Sequence, residues 1–160
     1  MILRPYGVFG PSTGNNLGNS FLNTVIEHAI KNKEVTVLGG DQLIDTVYIL
    51  DLISIILRSS DNEWHSREIY NVGGETVRVK DMLTINSDSL NKVGLRCPLV
   101  TKAFKGKPAI LTDATKLKSA FQNYTNTPLK NSLYALLSAY LLQYSVLKQN
   151  LTTSPYFFTI

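Results

Sequence analysis

The chain has 160 residues, 44% hydrophobic and 18% charged, with a formal net charge of +4, a composition that excludes a disordered chain and a length that suits one domain with its own core. Its lysines and arginines are scattered rather than clustered, so no nucleic-acid motif stands behind the positive charge. Cys97 is the only cysteine, which excludes an intrachain disulfide, and two histidines, His28 and His65, argue against a zinc site.

Met1 to Leu3 is a short apolar run ended by Arg4-Pro5, because proline removes a ladder donor and restricts the residue before it. A buried strand is expected there. Gly7, Gly10, Pro11, Gly14 and Gly18 form a loop whose missing side chains let backbone approach a ligand or another segment closely. From Asn19 or Ser20 to Lys33, the apolar positions Phe21, Leu22, Val25, Ile26, Ala29 and Ile30 recur at helical spacing and place His28 on the wet side. Val35 to Leu38 reads as a strand broken by Gly39-Gly40. A second strand, about Ile44 to Ile49, runs into an apolar helix through Leu57 that Asp51 is placed to cap. Asp61 to Arg67 is polar and loop-like, with Trp64 and His65 as surface residues.

Glu68 to Val72 reads as a strand, Gly73-Gly74 as a turn and Val79 to about Val93 as a helix. Cys97, next to Pro98 and without a nearby histidine, is expected to be a buried inert thiol. Pro98 to Phe104 reads as a strand, Lys105 to Pro108 as a turn and Ala109 to Leu111 as an extended run, after which Asp113 caps a helix to about Phe121 and Asn123 to Pro128 forms a loop. Ser132 to Leu147, at about sixteen residues, is shorter than the roughly twenty that span a bilayer, so a buried helix is expected and no membrane contact. The tail, 148–160, ends in Tyr156-Phe157-Phe158 and either packs back on the body, 1–147, or offers a sticky contact. No secretory signal opens the chain, so a cytoplasmic location is expected.

Several segments are worded like a known family. Leu3-Arg4-Pro5-Tyr6-Gly7-Val8-Phe9-Gly10-Pro11 resembles the Leu-Arg-Pro-x-x-Val-Tyr-Gly-Pro segment of the NAD-dependent epimerase/dehydratase family, the extended short-chain dehydrogenases that act on nucleotide sugars. Gly39 to Leu52 is similar to that family's glycine-rich turn followed by Asp-x-Val-Tyr-Val-Asp-Asp-Val. Ile69-Tyr70-Asn71-Val72-Gly73-Gly74 is similar to its Tyr-Asn-Val-Gly strand and turn, and Leu111 to Lys118 resembles its late Asp-x-x-Lys helix start. The four segments stand in the family's order over about Ile2 to Leu142.

The resemblance implies an α/β fold: the C-terminal portion of an extended Rossmann-type dehydrogenase, with its last parallel strands and a small substrate-binding lobe, the N-terminal cofactor half being missing. It implies Pro5, Tyr6, Gly7 and Val8 beside NAD, and Gly7, Asn19, Val37, Ile44 and Lys105 beside a nucleotide-sugar or related substrate. Gly7 stands where many members carry asparagine, Ile44 where an arginine often holds the substrate phosphate, and Leu50 where the first aspartate stands. Lys102, Lys105 and Lys107 offer positive charge to a diphosphate or are simply solvated.

The family's dinucleotide fingerprint, its catalytic serine or threonine and its Tyr-x-x-x-Lys pair lie upstream of the opening segment. Tyr144 and Lys148 match the last by spacing, without a cofactor loop before them, and receive no catalytic role. In the family the cofactor oxidises the substrate at one carbon, with a tyrosinate as base, and reduction follows the epimerisation or elimination. The present chain is expected to supply only the far wall of such a site and to be inactive alone, an N-terminal half in trans or self-association covering its first strand. A non-catalytic binding or interaction module built from the same lobe is the alternative. A further rival reads Met1 to Leu3, Gly7-x-x-Gly10-x-x-x-Gly14, the helix, Val35 to Leu38 and Asp41 as a complete dinucleotide-binding βαβ unit, against which stand Pro5 and Pro11 in its turn.

Overall fold

The computed structural model describes residues 1–12, 20–60, 67–103, 111–122 and 124–153. Among the expectations above, those for Asn19, Trp64, His65, Lys105, Lys107 and the end of the tail fall outside these residues. The architecture is α/β with parallel strand pairs. β1 (Ile2–Pro5) lies parallel to β5 (Ile69–Val72), and β3 (Val35–Leu38) lies parallel to β7 (Leu99–Lys102). Between them, β4 (Leu43–Tyr48) takes the two-residue β2 (Val8–Phe9) in parallel and β6 (Glu75–Arg78) antiparallel.

The βαβ rival requires β1 beside β3. The strands belong to different sheets, so that unit does not form.

Among the described residues five helices cover the strands: α1 (Phe21–Ile30), α2 (Ile49–Ser60), α3 (Val79–Asn91), α4 (Thr115–Ala120) and α5 (Leu129–Thr153). The main core joins the inner faces of α1, α3 and α5 to β3 and β4. Leu129, Leu133, Leu136, Leu137 and Tyr140 of α5 supply one buried stripe at helical spacing. A second, smaller core lies under β1 and β5, where Ile55 of α2 and Leu117 and Phe121 of the α4 region close over Tyr70, Val72 and Leu3.

Several local expectations are corrected by contacts distant in sequence. β1 runs through Pro5 and is largely exposed rather than buried, because β5 is its only strand neighbour among the described residues. The supposed loop after it contains β2, and a strand, β6, follows the Gly73-Gly74 turn. Ile49 opens α2 instead of ending β4.

Asp51 lies inside the first turn of α2, and its carboxylate accepts hydrogen bonds from the backbone N–H (2.9 Å) and hydroxyl (2.6 Å) of Thr127 rather than capping its own helix. Asp113 precedes the N-cap, Ala114, and accepts the Thr115 N–H at 2.9 Å. α5 is longer than the expected helix and is one-sided, with Tyr134, Leu142 and Tyr144 exposed. Among the described residues no helix is long and apolar enough to cross a membrane. His28 is half-buried, its Nδ1 lying 2.8 Å from the Glu34 carbonyl.

Candidate functional site

In open α/β folds ligands gather beyond the carboxyl ends of parallel strands, and β1–β5 and β3–β7, two of the three parallel pairs among the described residues, end in such places. At the first, β1 ends in Pro5 and β5 in Val72. The Tyr6 N–H donates to the Val72 carbonyl at 3.2 Å, and the Val47 N–H donates to the Gly7 carbonyl at 3.0 Å. Gly7 has φ +62, and a Cβ there would lie 2.0 Å from the Asp45 carbonyl oxygen; a Cβ on Gly74 would lie 1.7 Å from the Thr46 carbonyl. Glycine is required at both because β4 is wedged between the two turns. The space freed at Gly7 is therefore filled by protein backbone. What remains open toward solvent is the outer surface of Pro5, Tyr6 and Gly7.

The side chain of Asp45 anchors this junction. Buried in β4, it accepts a hydrogen bond from Thr76 Oγ1 at 2.6 Å on the paired strand and a very short one from the Thr112 backbone N–H. Sequence reading passed over Asp45, whose one signal is a carboxylate at an alternating position that should face the interior.

The second place is a cleft of 580 Å³ beyond β3 and β7, lined by Gly39, Gly40, Gln42, Lys80, Thr101 and Lys102 among others. The size suits a small ligand. Lys80 Nζ lies 2.7 Å from Asp41 Oδ1, and that hydrogen bond and charge hold the Asp41 carboxyl below its usual value. Asp113 is lowered as well, by the hydrogen bonds from Thr115. Lys102 adds a cation to the cleft wall.

The site residues suggested by the sequence are not all equivalent here. Tyr6 is about half exposed, and Val8 is partly buried against the smaller core. Val37 points into the main core, 2% exposed, so that its strand neighbours Thr36 and Leu38 carry the open face of β3. Ile44 packs from the strand onto the edge of that core. Pro5 to Val8 thus gather at one strand end, while Val37 stands near the other.

Cys97 is half-buried, with burial pushing its thiol pKa up, as suits an inert group. Tyr144 stands about half exposed on α5, with no role in either cleft. No cluster of three metal-ligating side chains occurs among the described residues.

Pro5, Tyr6 and Gly7, which the family resemblance sets beside NAD, are exposed at the end of β1. Among the described residues no glycine-rich turn opens directly into a helix N-terminus, the arrangement that binds a dinucleotide diphosphate.

Parallel strand pairs with helices packed on them define an α/β fold. Residues 1–73 match the model of the NAD dependent epimerase/dehydratase family, and that stretch contains the Leu3-to-Pro11, Gly39-to-Leu52 and Ile69-to-Gly73 segments. Among solved structures, UDP-glucuronic acid 4-epimerase from Bacillus cereus, in complex with UDP-glucuronic acid and NAD, superposes with a TM-score of 0.73 at 23% identity, over 89% of this chain and 45% of that one. UDP-glucose 4-epimerase from Thermotoga maritima, with UDP-glucose, gives 0.71 at 21% identity, over 89% and 46%. A GDP-L-fucose synthetase from Naegleria fowleri bound to NADP gives 0.69 at 17%, over 89% and 45%. The fold is that of a partial extended Rossmann-type protein, and the chain spans less than half the length of these structures. No curated protein sequence matches.

Proposed function

We propose that this chain is the substrate-binding, C-terminal part of an NAD-dependent nucleotide-sugar epimerase/dehydratase-type protein. The observation that carries the reading is the family match over residues 1–73, which holds Pro5 to Val8 and Ile44. In this reading Pro5, Tyr6, Gly7 and Val8 line one side of the nicotinamide, whose hydride chemistry the bound cofactor supplies. Gly7, Asn19, Val37, Ile44 and Lys105 surround the nucleotide sugar, Val37 acting through its strand backbone because its side chain is buried. Lys102, beside the cleft, adds charge for the diphosphate. With Ile44 in place of arginine, phosphate recognition falls to lysines, which act as point charges rather than bidentate forks.

The chain alone binds the sugar nucleotide and does not turn it over, since no Tyr-x-x-x-Lys pair stands at either strand end among the described residues; Tyr6, at the end of β1, has Gly10 four residues later. Titration calorimetry with UDP-glucose, UDP-glucuronic acid and NAD tests this. Saturable heat with a UDP-sugar, weakened by Lys105→Ala, is expected, with little or none for NAD. Tight NAD binding without UDP-sugar binding would overturn the reading.

A further inference from the structure

The turn from Leu38 to Gln42, at the mouth of the β3–β7 cleft, spends its polar groups on its own neighbours. The Gly39 N–H donates to the Lys102 carbonyl at 2.8 Å, the Gly40 N–H to the Gln42 side-chain oxygen at 2.7 Å, and the Gly40 carbonyl accepts the Lys80 N–H at 2.9 Å. The Gln42 side-chain NH2 donates to the Leu38 carbonyl at 2.6 Å, and the Arg78 guanidinium to the Asp41 carbonyl at 3.2 Å. Glycine-rich turns hold phosphate through free backbone N–H groups, and those of Gly39 and Gly40 are committed. An anion entering this cleft is therefore met by side-chain cations.

Two line it, Lys102 from β7 and Lys80 from the first turn of α3. Lys102 has no ion-pair partner among the described residues. Lys80 has one, the Asp41 carboxylate, whose side chain is 82% exposed and which also feels the Arg78 charge.

An ion pair this open to water holds little, and a phosphate, with more charge and more acceptor oxygens, competes for an ammonium better than one carboxylate does. The turn does not need the pair: none of the hydrogen bonds that shape it uses the Asp41 side chain. Asp41 can leave Lys80 without undoing the cleft.

We propose that Lys80 and Lys102 form the anion site of this cleft, and that Asp41 is its built-in competitor, occupying Lys80 until the diphosphate of a ligand displaces it. A neutral sugar or nucleoside gains nothing by parting the pair, so Asp41 reserves the cleft for ligands of high negative charge. Lys80 also supplies a cation that the chain lacks at Ile44. Naming a nucleotide sugar as the carrier of the diphosphate rests on the function proposed above; the exchange of Asp41 for an anion does not.

The test is titration calorimetry of the 160-residue chain at low salt, with inorganic pyrophosphate and, separately, with UDP-glucose. Lys80→Ala is expected to weaken both about tenfold and Asp41→Asn to tighten both about threefold. The two substitutions break the same ion pair, so a merely structural pair would move affinity in one direction for both. A general effect of charge would also give opposite signs, and the double variant separates it. With Lys80→Ala in place, Asp41→Asn should give no gain, because Asp41 acts through Lys80. Matched charge changes at an exposed pair outside the cleft, Lys116→Ala and Glu68→Gln, should leave affinity unchanged.

Effects of the same sign, or a full gain from Asp41→Asn on the Lys80→Ala background, would overturn the proposal. Pyrophosphate binding with the expected signs but no UDP-glucose binding would uphold Asp41 as competitor and overturn the nucleotide-sugar reading. UDP-glucose binding indifferent to Lys80→Ala would do the reverse. Binding of neither anion up to about 10 mM would overturn both.

Discussion

Replacing Asp45 should uncouple the sheet from the segment that enters α4. The carboxylate is 4% exposed and serves two partners at once, the Thr76 hydroxyl across the β4–β6 ladder and the Thr112 backbone N–H. Hydrogen bonds to a charged group contribute about 1.5–3 kcal/mol each. Asp45→Ala removes both and strands a backbone donor in a site closed to water, so the expected loss is about 4 kcal/mol, a large part of the 5–15 kcal/mol typical of a domain.

Asp45→Asn is the sharper test. Its amide oxygen can keep the Thr112 N–H while its NH2 donates to the Thr76 hydroxyl, which accepts as well as donates, so the loss is that of the charge on two hydrogen bonds, about 2 kcal/mol. Urea unfolding followed by circular dichroism reads both, and with a slope near 2 kcal/mol per molar the Ala midpoint falls by about 2 M. Thr76→Val should cost about 1.5 kcal/mol and couple to Asp45→Ala in a double-mutant cycle. An Asp45→Ala variant within about 0.5 kcal/mol of the parent would refute the reasoning, since surface substitutions fall in that range.

Gly7→Ala should destabilise by about 3 kcal/mol, from the left-handed φ and the overlap with the Asp45 carbonyl, with the midpoint of thermal unfolding as the check. Glu75→Gln should lower stability by about 1 kcal/mol, because Glu75 Oε2 accepts the Leu129 N–H at 2.7 Å and stands in for a cap at the start of α5; an unchanged urea midpoint would argue against it. Burial, helped by the charge of Asp51, pushes Tyr124 up to about 12, and burial does the same to Tyr140. A phenol whose folded pKa exceeds its ordinary value holds its proton more firmly when folded, so this stability is complete below pH 10 and drains away between pH 10 and 12. The Tyr124 hydroxyl is buried without a hydrogen-bond partner among the described residues, so Tyr124→Phe should stabilise by about 1 kcal/mol at pH 7 and shallow the alkaline loss. A steeper alkaline loss in that variant would contradict the assignment.

Where neighbours in sequence decide the structure, the sequence was readable. The spacing of Phe21 to Ile30 gives α1, and Ser20 accepts the Asn23 N–H at 3.1 Å as its cap. β3, β5 and α3 lie close to their expected bounds. β2 escaped because two residues between glycines have no pattern of their own and form a strand only against β4. β6 escaped because Glu75-Thr76-Val77-Arg78 has a single apolar residue, and its pairing with β4 defines it.

Asp51 shows the limit most clearly. Its position before an apolar helix is that of a cap, but its hydrogen bonds go to Thr127, 76 residues away. The family resemblance was legible in runs such as Leu3-Arg4-Pro5, while the arrangement around Gly7, filled by the Asp45 carbonyl, depends on a crossing of strands that spacing does not encode.

Asp45, Asp51 and Glu75 follow one rule: a carboxylate on or next to the β4–β6 sheet accepts the backbone N–H of a residue 54 to 76 positions later, at Thr112, Thr127 and Leu129. These tethers bind the later part of the chain to the middle sheet, and none of them reaches β1. The β1–β5 pair is two strands with an open edge and a bare face, a unit that is marginal by itself. The molecule should therefore open in parts rather than all at once. Native-state amide exchange in low urea is expected to give the β4–β6 amides protection near the global unfolding free energy and those of Ile2 and Tyr6 distinctly less. Covering the β1 corner should raise the latter toward the global value while leaving β4 and β6 unchanged, because ligation at the corner removes only the local opening. Equal protection of β1 and β4 in the uncovered chain would mean that the corner is already closed by contacts of its own, and the reason for expecting a partner there would be gone.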